Sequence, residues 1–161
     1  MQESPGRSSS TMKKSMTSLV FPDLNVWLAL TLKAHEHHPI AWAWYSSLRR
    51  DQELVFCRIT QIGFLRLLTT DAVARHETLS QTQAWAAYDK WLEEGGCVYL
   101  EEPLGIDFQF REFADRDVPS PKEWADSYLA AFAAAASIEL VTFDHALSLR
   151  ARRGHLLNPE A

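Results

Sequence analysis

Cysteine is scarce in this chain. Cys57 and Cys97 are the only two, they lie far apart, and they fit no ligand spacing. Both read as reduced thiols in a core rather than as a disulfide or a thiolate metal site. Positive charge is short as well: 16 Lys and Arg stand against 21 Asp and Glu, for a net charge of −5. Holding nucleic acid by bulk charge needs the opposite balance, because that affinity rests on neutralising phosphates. A nuclease whose acidic site recruits a metal stays open. No long apolar run is present either. The most apolar stretch, "SYLAAFAAAASIELVTF", is too short for a membrane span and carries Glu139, so it reads as a buried helix running into a strand. At the start, "MQESPGRSSSTMKKSM" has two lysines but no apolar segment after them, which argues against a secretory signal and for the cytoplasm. No internal repeat is evident.

What the chain does have is material for one domain: 161 residues, 47% of them hydrophobic. Residues 1–17 are Ser-rich and polar and are expected to form a disordered extension, with Met12 or Met16 an alternative start; the folded domain is expected over 18–158. "LVFP" at residues 19–22 reads as a buried strand and is followed by a helix from Asn25 to Leu32. Ala41, Trp42, Trp44, Tyr45 and Leu48 recur at helical spacing. "ELVFCRI" is a strand, with Thr60 capping the helix "QIGFLRLLTT". Ser80 caps a helix that ends at Gly95 and Gly96, and "CVYL" is a strand. "GIDFQFREFADR" is a short amphipathic helix. Ser120, Pro121 and Glu123 predict a capping box with proline at the first helical position. "ELVTF" is a strand ending at Asp144, "HALSLRARR" a helix, and "HLLN" an edge strand. Strands alternating with helices predict an α/β fold, three layers around a mostly parallel sheet.

In such sheets the functional crevice lies beyond the carboxyl ends of the strands, where the strand order reverses. Asp23 and Asp144 both stand at such ends, and Asp126 sits early in the helix that precedes the second of them. Taken singly, each aspartate reads as a cap or turn residue. Gathered at one rim, three carboxylates repel one another unless a cation sits among them. A hard ion such as Mg²⁺ or Mn²⁺ takes oxygen ligands and keeps several waters, one of which can attack a phosphodiester.

The ordered stretches "PDLNVWLAL", "HEHHPIAWAW", "ITQIGFLRLLT", "WADSYLAAFA" and "VTFDHAL", running from about residue 19 to 149, carry a resemblance. The chain resembles the PIN-domain ribonucleases, and among them the VapC-type toxins of type II toxin–antitoxin pairs. That resemblance implies a metal-dependent endoribonuclease. It implies Asp23, Asp126 and Asp144 as metal-binding and catalytic acids, Asn25 and Thr142 as supporting polar residues, RNA as substrate, a small antitoxin that silences the site, and a homodimer. One departure stands out: the family pattern T-E-x-G-F-x-R reads "TQIGFLR" here, so Gln61 replaces a glutamate. Gln61 offers a carbonyl oxygen but no charge. Glu123 is the nearest substitute, three residues before Asp126 on the same helical face, with Asp107 and Asp117 as looser candidates.

Two alternatives follow. A non-catalytic PIN-fold module, binding RNA or protein, would keep the fold around a degenerate site at Gln61. A haloacid-dehalogenase-type phosphohydrolase would use Asp23 as nucleophile, but that family wants an aspartate where Asn25 stands. His35, His37 and His38 read as local capping and surface residues rather than a zinc site. Arg66 is expected to orient its helix, Arg49 and Arg50 to complement a helix dipole, and Arg150, Arg152 and Arg153 to lie on a solvated face. Trp42, Trp44, Trp85, Trp91 and Trp124 are expected in the core or on a protein-binding surface.

Overall fold

The computed structural model describes residues 16–158. The expected N-terminal extension therefore lies outside the described residues, except for Met16 and Thr17. Among the described residues there are five strands: β1 (Ser18–Pro22), β2 (Gln52–Phe56), β3 (Cys97–Tyr99), β4 (Glu139–Thr142) and β5 (Gly154–Leu156). They form one sheet in the order β3-β2-β1-β4-β5, and every neighbouring pair is parallel.

Helices cover both faces, as an all-parallel sheet requires. On one face lie α1 (Leu24–Thr31), α2 (His38–Ser46), α3 (Arg58–Leu68), the short α4 (Asp71–Ala74) with a 3₁₀ turn at Arg75–Glu77, and α5 (Gln81–Glu94). On the other lie α6 (Ile106–Ala114), α7 (Glu123–Ala136) and α8 (His145–Arg150). The two-residue period of a strand divides each one between these cores. Val20, Leu54, Phe56 and Val141 face the first, while Phe21, Val55 and Leu140 face the second. The Trp27 ring stacks on Phe56 at 3.7 Å between centroids and meets Phe64 and Trp91 edge-on. Tyr88 meets Phe56 edge-on at 4.9 Å between centroids. These aromatic contacts fix α1, α3 and α5 on the sheet.

Two helix starts differ from expectation. α3 begins at Arg58 with Cys57 as its N-cap; Thr60 is the third helical residue, and its hydroxyl accepts from the Cys57 N–H at 3.0 Å. α7 begins at Glu123, and Ser120 does not cap it. The reason is the carboxylate of Glu123: two arginines and the Ser120 side chain take it up, so the reciprocal capping box never forms. The other end of the chain is tightly placed. A Cβ built on Gly154 would fall 1.9 Å from the carbonyl oxygen of Ser148, so β5 runs directly against the backbone of α8.

Gly154→Ala must therefore push α8 and β5 apart. We expect it to destabilise the fold by about 1–3 kcal/mol, the usual cost of overpacking, seen as a lower urea midpoint at unchanged slope. An unchanged midpoint would mean that the close approach is easily relieved.

Candidate active site

The strand order reverses beside β1. The chain adds β2 and β3 on one side of β1, then returns to add β4 and β5 on the other. The carboxyl ends of β1 and β4 thus form the switch point at which α/β folds place their sites. Register does the rest. Pro22 pairs with Val141, and the Asp23 N–H donates to the Val141 carbonyl at 2.9 Å. Asp23 therefore comes level with Thr142.

Asp23 is the N-cap of α1, as the single-residue reading expects, but it is also buried, at 4% exposure. One carboxylate oxygen accepts from the Val26 N–H at 3.1 Å, and the other accepts a short hydrogen bond from the Thr142 hydroxyl. Thr142 in turn accepts from the Asp144 N–H at 2.9 Å. A single hydroxyl so links the side chain of Asp23 to the backbone of Asp144. Asp144 is exposed and caps α8, its carboxylate accepting from the Leu147 N–H at 2.9 Å.

Burial raises the Asp23 carboxyl from the ordinary 3.8 to about 6. Hydrogen bonds from Thr142, Val26 and Asn25 oppose the rise, and the charge of Asp126 adds to it. Asp126, half-buried, is also raised, first by burial and then by Asp144, with Arg150 pulling the other way. The three aspartates are thus within electrostatic reach of one another in series. A cleft of about 210 Å³ opens between Asp23 and Asp126, walled by Leu24, Asn25, Ile59, Thr60, Ala125 and Leu129.

Gln61 and Glu123 are placed differently. Gln61 is buried, but its carbonyl oxygen accepts from Arg58 and its amide shares a hydrogen bond with Tyr88; the part of α3 that walls the cleft is Ile59 and Thr60. The Glu123 carboxylate lies 2.6 Å from Arg116 Nε and 2.9 Å from Arg150 Nη2. Arg150 corrects an expectation: it is not on a solvated face but mostly buried, because Glu123 and Ser127 hold its guanidinium. Ser127, fully buried beside Asp126, was not singled out in the sequence; a lone hydroxyl between an aspartate and the apolar run "YLAAFAAAA" was its only signal. Asp107 is paired with Arg111, and Asp117 lines a separate hollow at the start of α7. The histidines act locally: His35 Nδ1 accepts from the His37 N–H, His38 Nδ1 meets the Ala29 carbonyl at 2.7 Å, and the His37 ring rests on Phe143.

Among the described residues no three His, Cys, Asp or Glu side chains close into a compact metal cage. A hydrated Mg²⁺ needs none, since one or two carboxylates with waters and substrate oxygens suffice. The donors that line the cleft are all oxygen, and among the described residues no lysine or arginine pairs with Asp23.

Residues 20–152 match the family model described as the PIN domain. Over 130 residues the chain is 43% identical to Ribonuclease VapC41 of Mycobacterium tuberculosis, covering 78% of this chain and 89% of that protein. In fold it is similar to the crystal structure of VapC20 of M. tuberculosis, a toxin described as cleaving the sarcin–ricin loop. The TM-score is 0.61 at 18% identity, over 82% of this chain and 94% of that one. It is also similar to PAE2754 of Pyrobaculum aerophilum, with a TM-score of 0.54 at 20% identity over 92% and 90% of the two chains.

The burial of Asp23 gives folding a pH signature. Its folded value of about 6 lies above the ordinary 3.8, so charging it costs the folded state more than the unfolded one. That cost is absent below pH 3.8, grows as pH rises to about 6, and is constant above. It reaches at most about 3 kcal/mol. In chelator, Asp23→Asn should therefore melt several degrees above the unsubstituted protein at pH 7, with the difference closing below pH 4. A gap that is the same at pH 3.5 and pH 7 would sink this assignment.

Proposed function

The chain belongs to the PIN-domain family, among its VapC-type ribonucleases, and from that premise we propose an endoribonuclease toxin that works through Mg²⁺ or Mn²⁺. Family membership sets the phosphohydrolase reading aside. The observation that supports the proposal is one cleft lined by Asp23 and Asp126 at the β1/β4 switch point, with Asp144 tied to Asp23 through Thr142 and with Asp23 buried and lacking a cationic partner among the described residues. Asp23, Asp126 and Asp144 would hold the ion. When bound, it supplies a polarised water as nucleophile and stabilises charge on the phosphodiester.

The chain's own residues do the rest. Thr142 fixes the rotamer of Asp23 and, through the Asp144 N–H, sets where α8 starts. Asn25, on the cleft wall beside Asp23, is assigned with Thr142 to orient the ligands, its backbone N–H donating to Asp23. Gln61 supports from behind, holding Arg58 against the Tyr99 ring. Glu123 enters as the counter-ion of Arg150. The apolar walls, Leu24, Ile59 and Leu129, exclude water from one side of the cleft, which strengthens electrostatic interactions inside it. The partners we assign are a small antitoxin protein and a second copy of the chain. The site of action is the cytoplasm; among the described residues no helix is long and apolar enough to cross a membrane.

The test is cleavage of total RNA by the purified protein with Mn²⁺ or Mg²⁺, beside Asp126→Ala and a chelator control. Cleavage should fall by about a hundredfold or more in both controls, since the loss of a ligand costs at least as much as the loss of a group that orients one. Cleavage that survives the chelator would overturn the metal assignment. Full activity in Asp126→Ala would remove that residue from the site. A folded protein that neither binds Mn²⁺ nor cleaves RNA would favour the binding-module reading with its degenerate site at Gln61.

A further inference from the structure

Arg150 closes α8, the helix that Asp144 opens. Its guanidinium crosses to α7, where Nη1 donates to Ser127 Oγ at 3.1 Å and Nη2 to Glu123 Oε1 at 2.9 Å. Asp126 lies between those two anchors on α7. The side chain of Arg150 is 14% exposed, so this is a partly desolvated contact and not a surface pair of negligible weight. Each anchor is itself tied down. Ser127 donates to the Phe113 carbonyl on α6 at 3.3 Å, and Glu123 is also held by Arg116 from the loop before α7. The helices joined in this way carry two acids that repel each other, Asp126 and Asp144. Sheet register does not set their separation, because Asp126 is a helical residue with no strand partner; α7 is placed by the packing of Leu129 and Phe132 on the sheet and by the polar contacts of its first turn.

We propose that Arg150 is a positioning residue: a built-in counter-charge, seated by Glu123 and Ser127, that holds α7 against α8 so that Asp126 and Asp144 stay gathered before any cation is bound. The arginine fork suits this role, since one planar group reaches two acceptors at once. The cross-tie stands on the contacts above; only its relation to a bound cation rests on the metal site proposed for the function.

A double-mutant cycle on the full chain, read by thermal unfolding in chelator, tests the cross-tie without metal. The proteins are the unsubstituted chain, Arg150→Gln, Asp126→Asn and the double variant. Arg150→Gln should lower Tm by on the order of 5 °C. In the Asp126→Asn background the loss should be about half or less, because the repulsion that Arg150 offsets is gone. An equal loss in both backgrounds would mean that Arg150 acts through Glu123 and Ser127 alone and not on the two aspartates, and would overturn the proposal. If Arg150→Gln alone does not fold, the double variant should; its failure to fold would overturn the proposal equally. Arg150→Lys keeps the charge without the fork and should recover only part of the Tm, and a loss as large as that of Gln counts against a counter-charge.

A second arm adds millimolar Mn²⁺. The ion should restore part of the loss in Arg150→Gln, because it brings to the acids the positive charge that the arginine supplied. The same loss with and without Mn²⁺, in a protein whose unsubstituted form is stabilised by Mn²⁺, would overturn the proposal. An unsubstituted protein that Mn²⁺ does not stabilise speaks against the metal site itself, and the cycle in chelator then decides the cross-tie alone. Unchanged Tm with a salt-dependent rise in KM for RNA would make Arg150 a substrate contact instead.

Discussion

The functional edge of this molecule depends on one buried carboxylate. Asp23 stands at the end of the central strand, where its backbone joins β1 to β4 and its side chain joins Thr142. Desolvating a charge there is costly. Two backbone N–H groups and one hydroxyl offset part of that cost, and the rest shows as the rise to about 6. Any group that brings positive charge to the cleft recovers the remainder. At the point where the strand order reverses, the fold thus holds a carboxyl that either a proton or a cation would relieve. The same residue caps α1, so the helix and the site share one anchor, and loss of its geometry would be felt by both.

Gln61 bears on the charge balance around that anchor. In the family pattern a glutamate stands at this place. Here the side chain turns to Arg58 and Tyr88, and Ile59 and Thr60 wall the cleft instead. The missing acid is not made good by Glu123, whose carboxylate is taken up by Arg116 and Arg150. The proposed acid set is therefore the three aspartates alone. A smaller set holds an ion less tightly, and it also repels itself less when empty.

The strands were legible because burial on both faces writes near-continuous apolar runs, and Asp23 and Asp144 stood out as carboxylates ending such runs. Their convergence was legible through the alternation of strands and helices, which dictates a parallel sheet with its site at the carboxyl ends. Other features were not readable locally. Ser120, Pro121 and Glu123 carry every mark of a capping box, yet Glu123 answers to Arg150, 27 positions away along the chain. Arg150 itself, in the run "SLRARR", looks like any exposed base, and only tertiary packing buries it. The α4 segment "DAVA" is too short to show a hydrophobic period, and Thr60 misled because a threonine two residues inside a helix looks like one at its start.

The site has two halves held by different physics. Asp23, Thr142 and the backbone of Asp144 are set by sheet register, and a sheet buried on both faces does not shift in small steps. Asp126 is set by the placement of α7, whose first turn meets α8 through Arg150, Glu123 and Ser127. That contact is polar and partly open to water, so it is the weaker constraint. A shift of α7 would change the gap across the cleft between Asp126 and Asp23 while leaving the Asp23–Thr142 link intact. In the proposed function, the separation of those two carboxylates would decide how an ion and a phosphodiester fit between them. In the proposed arrangement the first turn of α7 and its arginine tie set the place of Asp126, while the sheet supplies the fixed reference for Asp23.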